Sequence, residues 1–139
     1  DWDLVIWGDG PRREACLRRV AELGLEGRIL LPGRSETPWR ELLGAHGFVL
    51  SSAVEGFPNA MLEAMALGLP CVAADCPSGP REILDGIAPL VPVGDAHALG
   101  EALLAVLCRP PDTGPARARA QSFSVGAATK RYLAVLEGT

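Results

Sequence analysis

Short apolar runs alternate with segments whose apolar positions recur at helical spacing, and the alternation persists through most of the chain. Leu4–Trp7, Arg28–Leu31, Phe48–Leu50, Cys71–Ala74 and Pro89–Val93 read as strands. Between the first two, Glu14–Leu23 carries Cys16, Leu17, Val20 and Leu23 on one helical face, with Pro11 ahead of it and Gly24 as its stop. Thr37 and Pro38 start a second helix with Trp39, Leu42 and Leu43 facing inward. A third helix begins near Asn59 and is stopped by Gly68 and Pro70. Later come a short helix ending at Leu84, a helix over Ala98–Leu107 capped by Asp95, a Pro-rich connector over Arg109–Pro115, and a closing helix over Val125–Leu136 capped by Ser124. Strands that are apolar throughout and separated by helices predict an α/β fold. The expected form is a Rossmann-like parallel sheet of about five strands with helices on both faces. The prolines around the fifth run place it at a sheet edge.

Composition narrows this picture. The 139 residues suit one domain with a real core, and 48% hydrophobic with 22% charged residues excludes a disordered chain. A net charge of -4 argues against a nucleic-acid surface, which needs a basic stripe. No apolar run approaches the ~20 residues of a membrane-spanning helix, and the start, DWDLVIWG, does not look like a signal peptide. The 4 cysteines, Cys16, Cys71, Cys76 and Cys108, are scattered without a CxxC pair. They read as reduced thiols of a cytoplasmic protein rather than as a disulfide framework or a zinc site.

Candidate chemistry lies where ligands bind in open α/β sheets, beyond the carboxyl ends of strands. Three loops qualify: Gly8–Pro11, Glu55–Asn59 and Cys76–Arg81. The first lacks the full dinucleotide pattern GxGxxG, because Arg13 occupies the last glycine position, which disfavours a dehydrogenase. In the second, Glu55 precedes a helix and Glu63 lies about one turn inside it. Free N–H groups at a helix start favour phosphate, and carboxylates accept from paired sugar hydroxyls. A solvated Glu63 favoured by the helix dipole and an ordinary turn residue at Glu55 satisfy the same spacing.

The stretch S-x-x-E-G-F-P-N-A-M-L-E-A-M-A-L-G-L-P-C-V-A closely resembles the E-x7-E signature of the retaining family 4 glycosyltransferases, two-domain enzymes of GT-B fold. Gly8-Asp9-Gly10-Pro11 resembles that family's G-x-G-P turn. Arg28–Gly33, Cys76–Gly86 and Leu90–Asp95 resemble further segments, collinearly over roughly residues 4 to 107. The resemblance implies a donor-binding half that takes a sugar from a nucleotide-diphosphate sugar and passes it, with retained configuration, to a glycan or lipid-linked acceptor. By the same resemblance Glu63 holds the ribose hydroxyls, and Glu55 is the catalytic residue, contacting the donor sugar in an orienting and electrostatic role. Gly56, Phe57 and Asn59 present N–H groups to sugar and phosphate, Gly8 and Gly10 form the glycine turn, and Gly33 and Arg34 lie near the base. No metal or other cofactor is expected, and Arg81 is as well suited to a structural ion pair as to ligand.

The family's donor domain opens with a strand and helix carrying an Arg and a Lys that bind pyrophosphate, whereas the only lysine here is Lys130. The expectation is therefore a single, N-terminally truncated donor domain over 1–139, inactive alone, with the acceptor domain elsewhere. Exposed strand edges would then invite repacking or a homodimer. Membrane contact is expected, if anywhere, only in the parent enzyme. The competing readings are a GT-B nucleotide-sugar epimerase fragment and a non-catalytic α/β nucleotide-binding or scaffold module.

Overall fold

In a computed structural model describing residues 2–84 and 86–138, all five apolar runs form strands. They are β1 (Leu4–Trp7), β2 (Ile29–Gly33), β3 (Phe48–Leu50), β4 (Cys71–Ala74) and β5 (Leu90–Val91). Every pairing between them is parallel, as apolar strands joined by helices require. The strands divide differently from the expected single sheet: β1 pairs with β2, and β3-β4-β5 form a second sheet. An apolar run predicts a strand but not its neighbour. The chain also forms two compact units, residues 1–41 and 42–139.

The first unit is β1, α1 (Arg13–Glu22), β2 and the start of α2 (Pro38–Leu42). Only Val20 is buried in it among the described residues, and it sits on the helical stripe read from the sequence. Polar links tie the strands together. Arg28 donates to Asp3 and to the Trp2 carbonyl, and Arg13 Nη2 donates to the Leu31 carbonyl at 2.7 Å. Arg13, the residue that breaks the dinucleotide pattern, thus serves the first unit structurally. The inward face expected for α2 is not observed: Trp39 and Leu43 are exposed, and only Leu42 packs against apolar neighbours. A helix of 5 residues offers little more than one turn, too short to hold an apolar face in register.

The second unit holds the core. β4 is central and buried at every position, with β3 and β5 on either side. Met61, Ala64 and Met65 of α3 (Asn59–Leu67) pack with Ile83 and Leu84 of α4 (Pro80–Leu84). α5 (Ala96–Cys108) starts where Asp95 accepts from the Ala98 N–H at 2.9 Å, and α7 (Val125–Glu137) starts at Ser124, which accepts from Ala127. Both caps are the residues expected.

One helix was not expected. α6 (Gly114–Gln121) grows out of the segment read as a connector. Pro115 fits its first turn, where a proline loses no hydrogen bond. Its inner face is only Ala116 and Ala120, small enough to let it close on the core. Its arginines supply the rest: Arg117 donates to the Leu67 carbonyl at the end of α3, and Arg119 to the Glu82 and Ile83 carbonyls at the end of α4. Each cation meets carbonyls left unpaired by a helix C-terminus. Gly68, at φ +81, ends α3 under the Arg117 guanidinium, where a Cβ would collide.

Candidate donor-binding site

The loop after β3 enters α3 through Pro58, whose carbonyl accepts from Met61 and so starts the helix. No side chain caps this N-terminus. Glu55 is half-buried in the loop, and Glu63 is exposed in the second turn of α3. Neither carboxylate is engaged by a hydrogen bond or ion pair among the described residues, so both retain their full accepting capacity. The N–H groups of Gly56 and Phe57 donate to nothing among the described residues, whereas that of Asn59 donates to the Phe57 carbonyl at 2.9 Å. The arrangement offers two free carboxylates and unpaired N–H donors around one helix start, suited to a polyhydroxylated, negatively charged ligand.

The loop after β4 meets this one. Gly79, at φ +88, lies so close to Pro58 that a Cβ there would fall 2.5 Å from the Pro58 Cδ. Ser78 holds the left-handed region at φ 66 without being glycine, a conformation that only a constrained loop sustains. Arg81 is committed to Asp75 through two contacts, the structural pairing weighed above. Phe57 also leans on the end of α6: its ring sits 5.6 Å from that of Phe123, tilted by 57°. A shallow cleft lined by Ser51, Ala74, Val91, Gly94, Asp95 and Leu99 opens at the same carboxyl end of the second sheet.

The remaining candidates belong to the first unit. Gly8 closes β1 and donates to the Gly33 carbonyl at 2.7 Å, which brings these two glycines together at the carboxyl ends of β1 and β2. Gly10 donates to Asp9 Oδ1 at 2.9 Å, and Arg34 is exposed with no hydrogen bond or ion pair among the described residues. The residues missed from sequence are Gly79, Phe123 and Arg119. The glycine-proline loop 76–81 signalled the first, but no local pattern marks the other two.

All four cysteines are free thiols. Burial pushes the Cys71 thiol up to about 12, so it is a core residue and not a nucleophile. Among the described residues, no group of three or more His, Cys, Asp or Glu side chains is arranged to hold a metal.

The sequence pattern of the family described as Glycosyl transferases group 1 matches residues 1–109. The chain belongs to that family. Among its relatives is a lipopolysaccharide 1,6-galactosyltransferase of Salmonella typhimurium, 41% identical over 88 residues, covering 60% of this chain and 24% of the relative. An N-acetylgalactosaminyltransferase of Campylobacter jejuni acting on a diphospho-undecaprenol substrate is 31% identical over 129 residues, covering 88% of this chain and 35% of that one. Among solved structures, the lipopolysaccharide outer core galactosyltransferase WaaB in apo form superposes with a TM-score of 0.85 at 29% identity, covering 99% of this chain and 41% of that one. Anabaena HepE in complex with UDP shares the fold with a TM-score of 0.88 at 21% identity, covering 99% and 41%. The chain thus spans about a quarter of the Salmonella relative's length and about two-fifths of each solved chain. The likeness bears out the Rossmann-like α/β fold of GT-B enzymes. No helix among the described residues is long and apolar enough to cross a membrane.

Proposed function

We propose that this chain is the donor-binding part of a retaining glycosyltransferase that moves a sugar from a nucleotide-diphosphate sugar to a glycan or lipid-linked acceptor. The observation that carries the proposal is the E-x7-E pair itself: Glu55 and Glu63, both unengaged, flank an uncapped helix start at the carboxyl end of β3. In this reading Glu63 accepts from the ribose hydroxyls. Glu55 orients the donor sugar, and the Gly56 and Phe57 N–H groups face its diphosphate. Gly8, Gly10, Gly33, Arg34 and Asn59 are donor contacts by resemblance.

The reaction breaks the bond between the anomeric carbon and the diphosphate oxygen. The acceptor hydroxyl forms its bond on the face the diphosphate leaves, and its proton departs with the diphosphate. N–H donors aimed at the diphosphate stabilise the charge that develops there. Glu55 acts electrostatically, without forming a bond to the sugar. No resident cofactor is part of the proposal, and a cytoplasmic setting is. The fold's capacity to hold UDP in the Anabaena protein makes UDP the first nucleotide to try.

Calorimetry with UDP, GDP and ADP on the natural full-length protein tests this. One of the three is expected to bind, and Glu63→Ala to weaken it by about 1–3 kcal/mol, the cost of removing a charged hydrogen-bond acceptor. Unchanged affinity in the variant would remove Glu63 from the ribose site.

A further inference from the structure

We infer that Phe123 is a positioning residue for the donor loop, acting through the ring of Phe57. The inference rests on the donor-site reading of Glu55–Asn59 given above. Phe57 lies two residues from Glu55 and beside Gly56, so whatever holds its ring also restrains the carboxylate and the N–H groups proposed to meet the donor. Its ring is partly exposed, at 43%, yet it is not loose: it rests tilted on Phe123 at 5.6 Å between centroids. That is a favoured geometry for aromatic pairs.

Phe123 is itself fixed. Its N–H donates to Ala120 at the end of α6, and its side chain packs against the buried cluster of Met61, Met65 and Ile83. The Arg119 guanidinium stands 5.0 Å from the centre of its ring, a cation–π contact. Arg119 is in turn held by the Ile83 carbonyl at 3.1 Å and by the Glu82 carbonyl at the end of α4. A continuous path therefore runs from the end of α4 through Arg119, Phe123 and Phe57 to the donor loop. From the other side, Gly79 presses on Pro58 in the same loop. The loop is clamped between two segments remote from it in sequence. A phenylalanine placed only to fill the core would need neither the partly exposed ring it supports nor the cation above it.

The test uses the natural full-length protein and three variants. Phe123→Leu keeps an apolar side chain of similar size but removes the ring, Phe123→Tyr restores the ring, and Val106→Ala disturbs the core away from the loop. Thermal midpoint, affinity for whichever of UDP, GDP and ADP the wild type binds, and ligand-free exchange of the Asn59 and Met61 amides, which donate to the Phe57 and Pro58 carbonyls of the loop, are measured for each. Phe123→Leu is expected to weaken binding of that nucleotide roughly 2- to 10-fold, the range one aromatic pair supports, and to speed exchange at those amides. Phe123→Tyr should recover both, and Val106→Ala should lower the thermal midpoint while moving neither. If Phe123→Leu lowers the midpoint but leaves affinity and loop exchange as in Val106→Ala, Phe123 is a core residue only and the inference is wrong. A wild type that binds none of UDP, GDP or ADP overturns the donor-site reading and this inference with it. That outcome is distinct from failure of the clamp, in which the wild type and Phe123→Leu bind equally well.

Discussion

β1 and β4 are strands of 4 residues each, and their sequences invert their fates. β1, Leu-Val-Ile-Trp, is the larger and more apolar, yet all four residues are exposed, between 36% and 43%. β4, Cys-Val-Ala-Ala, is built from small side chains and no residue exceeds 4% exposure. The difference lies in position. β4 has a hydrogen-bonded strand on both edges and helices packed over it, and small side chains let α3 and α5 approach closely. β1 has one paired edge, and its unit is held by the Gly8–Gly33, Arg13–Leu31 and Arg28–Asp3 links more than by burial. The candidate carboxylates stand in the unit with the core. A ligand loop of the kind proposed for Glu55–Asn59 benefits from rigid support beneath it.

The largest effect expected from this contrast is on stability. Met65→Ala, at a fully buried position of the second unit, should cost about 2–5 kcal/mol in denaturant unfolding. Ile6→Ala, in β1, should cost about 1 kcal/mol or less. Equal costs would break the contrast. Gly79→Ala comes next. It combines a left-handed φ with a collision against Pro58, and should cost about 1–3 kcal/mol in the same measurement and disturb the Glu55–Asn59 loop. Gly33→Ala, also left-handed but with open space around it, should cost less than Gly79→Ala.

The smallest expected effect is a pH dependence confined to the second unit. Cys71 ionises near 9.0 when unfolded and near 12 when buried, so its contribution to stability is complete below pH 9 and is lost as pH rises toward 12. By pH 10 the loss should be roughly 1 kcal/mol, and Cys71→Ala should flatten this part of the pH profile. The exposed Cys16 and Cys108 should react with an alkylating reagent in the native protein while Cys71 does not.

What was legible in advance was local. Leu4–Trp7, Phe48–Leu50 and Cys71–Ala74 are strands with the bounds expected, because contiguous β-prone residues between glycine and proline breaks leave few alternatives. Gly68, Asp95 and Ser124 act as the stop and caps foreseen, since each solves a hydrogen-bonding or conformational problem within a few residues of itself. The E-x7-E pair was visible for the same reason: one loop and one helix set its spacing. α6 was invisible because its stability is not local. Ala116 and Ala120 give no apolar stripe, and Arg117 and Arg119 support the helix only through carbonyls 36 to 50 residues away in sequence.

The sequence by itself determined which runs become strands, where every helix except α6 lies to within a few residues, which family the chain resembles, and which carboxylates bracket the α3 start. Only the tertiary structure decided which strand is buried, how five strands divide between two sheets, and what holds the Glu55–Asn59 loop. Strand propensity and capping are properties of neighbouring residues, whereas burial and sheet order depend on which distant segments arrive at each face. The contact of Phe57 with Phe123 across 66 positions of chain is of that second kind.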